Sequence, residues 1–329
     1  MKPFSYVRAT SQGTAIQTVA GDQKAKFIAG GTNLLDLMKE GVMQPDRLVD
    51  ITRLPLEKVE TISGGVRIGA LARNSDVANN KLIRDRYPLL SQALLAGASP
   101  QLRNMATMGG NLMQRTRCYY FYDTAMPCNK RSPGSGCAAI EGYNRIHAIF
   151  GTSDKCIATH PSDMCVALAA LDAMVRVEGP NGERQIPISE FHRLPGDTPE
   201  IDTVLGRDEL IMAVDLPESR FARASHYLKV RDRTSYAFAL VSVAAALDID
   251  NGTIRGARVA MGGVAHKPWR AIAAEQILVG AKANAQTFQA AAEATVREAK
   301  PYQYNAFKVE MSKRAIALAI ATAAEGTTA

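Results

Sequence analysis

Apolar and polar positions follow two regimes along this chain. Short apolar runs bounded by Gly, Pro, Asn and Asp fill its first two thirds, and Ala-rich stretches with helical spacing close it. After a short polar opening, KFIAGGTNLLDLMKEG predicts a strand over 26–29, a turn at Gly30-Gly31 and a helix LLDLMKE, with Thr32 and Asn33 as capping residues. Residues 46–51 form a second strand, and VETISGGVRIGAL a hairpin turned at Ser63-Gly64-Gly65. Asn74-Ser75-Asp76 caps a helical stretch that runs through SQALLAGAS and is broken by Pro88. A second hairpin, MVRVEGPNGERQIPI, turns at Pro180-Asn181-Gly182, and IMAVDLP is a further strand. The composition shifts over 217–222, which places a domain boundary there. Beyond it YLKV, SYAFALVSVAAALDI and TIRGARVAMGGVA, turned at Asp250-Asn251-Gly252, predict an antiparallel sheet. Two helices, over 269–300 and 304–324, cover it on one side, an α+β layer.

Thr107 to Cys165 breaks this regularity. It holds all five cysteines. Cys118, Cys128, Cys137 and Cys156 sit among Pro, Gly, Asn, Ser and Tyr, a loop composition that needs something to fold around. Cys165 opens an apolar run and reads as a buried small hydrophobe. No C-x-x-C pair marks a zinc site, and the common ferredoxin spacings are absent. Spacing alone therefore leaves an iron–sulfur cluster, zinc and two disulfides open. Arg115, Arg117, Lys130, Arg131, Arg145 and Lys155 are interleaved with the thiols, an excess of cations that suits an anionic thiolate-ligated cluster and would keep the thiols ionised. The five histidines show no ligand spacing and are read as structural.

Length and composition narrow the class. The 329 residues suffice for two or three modest domains, and 47% hydrophobic with 22% charged residues is ordinary for a soluble protein. The net charge of +7 is scattered and aromatics make up only 6%, so no nucleic-acid groove is indicated. No run has the length of a membrane span, and the N-terminus shows neither a signal-peptide core nor twin arginines, so no export address is expected on this chain.

Two glycine turns remain. Gly30-Gly31-Thr32-Asn33 and Thr107-Met108-Gly109-Gly110-Asn111 match neither the Rossmann nor the P-loop fingerprint, and a tight turn alone explains each. As a pair they offer two places where backbone N–H groups meet a phosphate, as the pyrophosphate of one dinucleotide requires. Taken in order, FIAGGTNLLDLM, QLRNMATMGGNL, SDM before an apolar helix, YLKVRDRTSYAFALVSVAA and VAMGGVAHKPWR resemble the FAD-binding (medium) subunit of the xanthine dehydrogenase family of molybdenum hydroxylases, over nearly the whole chain. The resemblance implies a two-subdomain, PCMH-like FAD-binding fold over 1–55 and 56–217, with an iron–sulfur loop inserted at 115–157, and a C-terminal α+β domain over 218–329. It implies FAD contacts from Phe27, Ile28, Ala29, Gly30, Gly31, Thr32, Asn33 and Leu34 and from Thr107, Gly109, Gly110 and Asn111. Asp163 matches the residue that meets the ribityl chain, and Lys229 falls where the C-terminal domain approaches the flavin. The inserted loop is similar to that of the periplasmic aldehyde oxidoreductase branch, which makes Cys118, Cys128, Cys137 and Cys156 the expected ligands of a [4Fe–4S] cluster. A 4-hydroxybenzoyl-CoA reductase-like or xanthine dehydrogenase-like subunit, or a stand-alone flavoenzyme, is the alternative. The expected partners are a large molybdenum-cofactor subunit and a small [2Fe–2S] subunit in a heterotrimer. The expected compartment is the periplasm, reached folded on a signal-bearing partner, with the cytoplasm as the alternative. No acid–base catalytic residues are expected, because the cofactors carry the chemistry.

Overall fold

The computed structural model describes residues 1–326. The first layer is a parallel three-stranded sheet of β1 (Ser5–Arg8), β2 (Ala25–Ile28) and β3 (Arg47–Asp50) in the order β1-β3-β2, with α1 (Gln12–Ala20) and α2 (Leu34–Lys39) as its helices. Strand β1 and helix α1 replace the expected polar opening. All four residues of β1 are exposed, so the strand carries no apolar alternation and is held by backbone pairing with β3. Helix α1 buries only Ala15, Ile16 and Val19, a stripe too narrow for its pattern to stand out.

The second layer is an antiparallel five-stranded sheet, ordered β4-β5-β8-β6-β7. Its strands are β4 (Val59–Ile62), β5 (Gly65–Gly69), β6 (Met174–Gly179), β7 (Gly182–Pro187) and β8 (Leu210–Pro217). Seven short helices join them: α3 (Asn74–Asn79), α4 (Lys81–Arg86), α5 (Pro88–Ala96), α6 (Pro100–Arg103), α7 (Met108–Leu112), α8 (Tyr119–Tyr122) and α9 (Asp163–Ala170), with α10 (Ile188–Phe191) following β7. The single broken helix expected after Asn74 is three helices. Asn80 caps α4 through its Oδ1, and Pro88 stands at the start of α5, where a missing N–H costs nothing. Asn74 lies inside α3 rather than capping it.

The C-terminal sheet runs β12-β11-β10-β9 from β9 (Ser225–Val230), β10 (Val241–Asp250), β11 (Thr253–Gly262) and β12 (Trp269–Arg270). Asn251 and Gly252 both take positive φ, the geometry of a tight hairpin turn between β10 and β11. Helices α11 (Ile272–Leu278), α12 (Ala285–Val296) and α13 (Phe307–Ala324) follow. Two expectations are corrected here. The helix expected over 269–300 is strand β12 plus two helices, because Trp269 and Arg270 pair with β11, Gly280 takes φ +86°, and Asn284 caps a fresh start. The sheet is also covered on both faces. Val243, Ala245 and Leu247 pack toward α11–α13, while Ala244 and Ala246 pack into the core shared with α5 and α9. That is why β10 reads as an unbroken apolar run rather than an alternation.

The chain between α7 and α9 is irregular apart from α8. Its small core consists of Cys118, Phe121, Cys128, Ala139, Cys156, Ile157 and Ala158 closed by Leu37 of α2, with Cys137 packed against it. Arg117 and the Tyr122 hydroxyl both bond Asp36 of α2 at 2.8 Å, fixing the segment to the first layer. Leu37→Ala should therefore cost about 3 kcal/mol of stability through the cavity left at that seam. Denaturant midpoints and proteolysis of the 115–157 segment measure it, and an unchanged protease pattern would show that the segment does not lean on α2.

Candidate functional site

The two glycine turns and the start of α9 converge. A Cβ built on Gly30 would lie 2.0 Å from the Met105 carbonyl oxygen, so only glycine lets the first turn touch the segment leading into the second. Gly31 takes φ +72°, which glycine tolerates without strain. Asn33 precedes α2 but its side chain does not cap it. Instead its Oδ1 accepts the Arg115 N–H at 2.9 Å, leaving a buried Nδ2 with no protein partner. Among the described residues the N–H groups of Thr32 and Asn33 likewise have no acceptor, so this turn presents unspent donors. Phe27 and Ile28 end β2, Ala29 leads into the turn, and Leu34 opens α2.

The second turn is built differently. Thr107 caps the short α7, with Oγ1 accepting the Gly110 N–H at 3.2 Å, and Gly109 donates to the Ala70 carbonyl at 2.8 Å. The main-chain N–H groups of Met108, Gly109, Gly110 and Asn111 are spent on the protein, and neither Gly109 nor Gly110 takes positive φ. The Asn111 Oδ1 accepts the Ser162 hydroxyl at 2.7 Å, tying the second turn to α9.

Ser162, not Asp163, caps α9. Asp163 is the first helical residue and both of its carboxylate oxygens are engaged: Oδ1 by the Tyr227 hydroxyl and Oδ2 by the Lys229 ammonium, each at 2.7 Å. Lys229 also reaches the Ala96 carbonyl. This buried ion pair spans the interface between α9 and β9. Tyr227 escaped the sequence reading, although the period of two along YLKV puts it on the face of Lys229. Beside the pair opens a cavity of about 270 Å³, walled by Arg117, Pro161, Asp163, Phe238 and the Gly262-Gly263 turn.

A smaller pocket lies in the inserted segment, and Cys118, Cys128, Cys137 and Cys156 all line it. No disulfide forms among the described residues. Cys128 and Cys137 face each other across an isolated antiparallel bridge. Backbone N–H groups of Tyr120 and Phe121 point at the Cys118 sulfur, those of Ala139, Ile140 and Ile157 at Cys137, and that of Ala158 at Cys156. Such donors stabilise thiolates. Among the described residues, no three of these four sulfurs come within the 4.8 Å that would let them share one ion. The donor set suits a polynuclear cluster better than mononuclear zinc.

Contrary to expectation, burial outweighs the interleaved cations at Cys118, Cys137 and Cys156. Burial pushes Cys118 up to about 12 and Cys156 to about 11, the latter against the pull of Lys130. The cations are committed elsewhere. Arg115 and Lys130 hold Asp202, Arg145 holds Asp232, Lys155 holds Asp197, and Arg131 donates to the carbonyls of Tyr120, Phe121 and Met126. Burial opposes the Asp202 charge, but Lys130 and Arg115 keep its carboxyl far below the usual range. Asp202 lies in a stretch that reads only as polar turns, and nothing in its spacing marks it.

Cys165 is fully buried in α9, away from the other four, and lies within 4.8 Å of His160 and His192. The histidine tautomers argue against a metal there. Ser162 N–H points to Nδ1 of His160, which leaves the proton on Nε2 and removes that atom as a ligand. His192 donates Nε2–H to the Leu112 carbonyl at 2.9 Å and so braces the second glycine turn.

A family model described as the FAD binding domain in molybdopterin dehydrogenase matches residues 2–219, and one described as the CO dehydrogenase flavoprotein C-terminal domain matches 226–324. The chain belongs to the FAD-binding subunits of the molybdopterin dehydrogenases. It is 52% identical to the aldehyde oxidoreductase FAD-binding subunit PaoB of Escherichia coli K12, over 98% of this chain and 99% of that one. It is 30% identical to the glyceraldehyde dehydrogenase medium chain of Sulfolobus acidocaldarius, over 85% and 83% respectively. The carbon monoxide dehydrogenase structure from Hydrogenophaga pseudoflava superimposes with a TM-score of 0.78 at 26% identity, covering 98% of both chains. By their names these relatives are subunits or chains of oxidoreductases. Among the described residues no helix is long and apolar enough to cross a membrane.

The buried histidines predict acid sensitivity. Burial lowers His147, His192 and His266 to about 4, and holds His160 well below its usual range. Unfolded imidazoles titrate near about 6.5. Between those values the unfolded chain binds more protons, so stability falls as pH drops from 6.5 toward 4, by about 1.4 kcal/mol per pH unit for each histidine. Urea midpoints at pH 7.5 and pH 5 test it, and equal midpoints would show these rings are not held neutral.

Proposed function

We propose that this chain carries both FAD and a [4Fe–4S] cluster as the electron-transfer subunit of a molybdenum-dependent aldehyde oxidoreductase complex. The observation that carries the cluster is the convergence of four free thiols on one pocket, three of them faced by backbone N–H groups. The aldehyde reading rests on the 52% identity to an aldehyde oxidoreductase subunit along almost the whole chain. In this reading electrons pass from the molybdenum centre of the large subunit, through [2Fe–2S] clusters of the small subunit, to this chain and on to an external acceptor. Bound here, the flavin would supply the exchange between two-electron and one-electron transfer, and the cluster single-electron transfer.

The protein's share is placement. The unspent Thr32 and Asn33 N–H groups and the orphaned Asn33 Nδ2 fit a pyrophosphate, with the second glycine turn as the opposing wall. Phe27, Ile28, Ala29 and Leu34 shape the floor of that turn. Asp163 accepts from the ribityl hydroxyls while Tyr227 and Lys229 hold its carboxylate in place, and the 270 Å³ cavity between α9 and the Gly262-Gly263 turn takes the ring system. Cys118, Cys128, Cys137 and Cys156 hold the cluster, with Cys165 outside the ligand set.

Gly31→Val combines a strained φ with a Cβ 2.9 Å from Leu35, and should empty the flavin site. Flavin released on denaturation, per mole of chain, is the readout, and full occupancy would remove this turn from the site. Changing any of the four pocket cysteines to Ser should abolish bound iron and its visible absorption, whereas Cys165→Ala should leave both intact. The reverse pattern would overturn the ligand assignment.

Free thiols need a reducing compartment until they are ligated. The proposed route is therefore cofactor loading in the cytoplasm, then export of the folded complex to the periplasm on a signal-bearing partner. Fractionating cells that express this chain with and without the partner's N-terminal segment is the test. Periplasmic chain in the partner's absence, or native complex confined to the cytoplasm, would contradict it.

A further inference from the structure

Lys308 on α13 is wholly buried. Its ammonium donates to three backbone carbonyls, those of Ile146 at 3.4 Å, His147 at 2.9 Å and Gly263 at 2.5 Å. These three bonds use all its donors, and no carboxylate pairs with it among the described residues. Burial lowers its pKa to about 7, assisted by the like charge of Arg145. An uncompensated internal cation is costly. The His147 carbonyl does not demand an ammonium, since the Asn305 amide already donates to it. What a neutral donor could not supply is the charge itself.

The position of that charge is specific. Ile146 and Gly263 line the 270 Å³ cavity. His147 turns its ring the other way, with Nε2 3.0 Å from the Cys118 sulfur that lines the cysteine pocket. One ammonium therefore sits behind the wall of both pockets, in a low-dielectric interior where its field is weakly screened. A flavin and a thiolate-ligated cluster both gain negative charge on reduction, and a nearby ammonium favours that state whenever it is protonated. Resting on the cofactor assignment above, we propose that Lys308 is a positioning charge that raises the reduction potentials of both centres and sets how readily electrons reside on this subunit.

The test uses the assembled complex with its partner subunits and three variants. Lys308→Gln keeps hydrogen-bond donors but removes the charge, Lys308→Arg keeps the charge, and Ser312→Asp brings a carboxylate one helical turn away, at a buried hydroxyl that has no hydrogen-bond partner. Flavin content and thermal midpoint report folding, and a dye-equilibrated redox titration reports the flavin midpoint potential, with the cluster's reduction followed by electron paramagnetic resonance. Lys308→Gln and Ser312→Asp should both shift the two potentials negative, with Lys308→Arg close to native. A merely structural lysine would alter the melting temperature and leave the potentials in place. Full flavin with an unchanged potential in Lys308→Gln, or in Ser312→Asp if the Gln variant does not fold, overturns the proposal. Native complex without flavin would instead overturn the assignment of the cavity, and this inference with it.

Discussion

An irregular segment buried against a protein must find partners for main-chain groups that no ladder or helix satisfies. The insertion between α7 and α9 meets this constraint with cations. Arg131 donates to four carbonyls inside it, Lys308 to two more from the C-terminal domain, and Asn129 and Asn144 bond others through their amides. Lys130 and Arg115 then converge on Asp202, which fastens the segment to the chain entering β8. The Arg131 and Asn bonds are internal, while Lys308, Asp202 and the Asp36 contacts reach three other parts of the fold. The cysteine pocket is thus positioned by the whole molecule rather than by its own loop.

The same economy governs the join between the FAD-binding and C-terminal domains. Asp163 begins α9, a helix buried along its entire length, and receives Tyr227 and Lys229 from β9. Removing either partner would leave a buried carboxylate short of a donor, a cost of about 3–5 kcal/mol for a charge partner. The pair therefore fixes the domains relative to each other at the mouth of the cavity they share. A site between rigid elements needs such a tie, because a displacement of about an ångström is enough to spoil cofactor contacts.

Much of the strand framework was legible in the sequence, since both hairpins, β2, β3, β8 and the C-terminal antiparallel sheet announce themselves through turn chemistry and apolar runs. What stayed hidden has physical causes. Strand β1 buries nothing and so leaves no pattern. The helix expected across 269–300 was split by an edge-strand pairing and a glycine, which composition alone does not weigh. Covering β10 on both faces depends on contacts with α5 and α9, far away in sequence. At the site, the first glycine turn and the four cysteines were visible as residue types. The electrostatics were not, because Asp202, Tyr227 and Lys308 act through long-range contacts that spacing cannot encode. The expectation of ionised thiols failed for the same reason: counting nearby cations ignores both burial and the carboxylates that already claim them.

That failure has a consequence for how the segment accepts a cluster. Arg115 and Lys130 share Asp202, while Arg117, Arg145 and Lys155 each pair with one carboxylate, of Asp36, Asp232 and Asp197. Arg131 and Lys308 face only carbonyls. Ligation would expel the thiol protons and leave net negative charge in the pocket. The fold already holds two cations without carboxylate partners against that outcome, and the backbone N–H groups aimed at Cys118, Cys137 and Cys156 gain strength as their acceptors become anionic. An anionic cluster, bound as proposed, would therefore meet cations and N–H donors that the fold has already set in place.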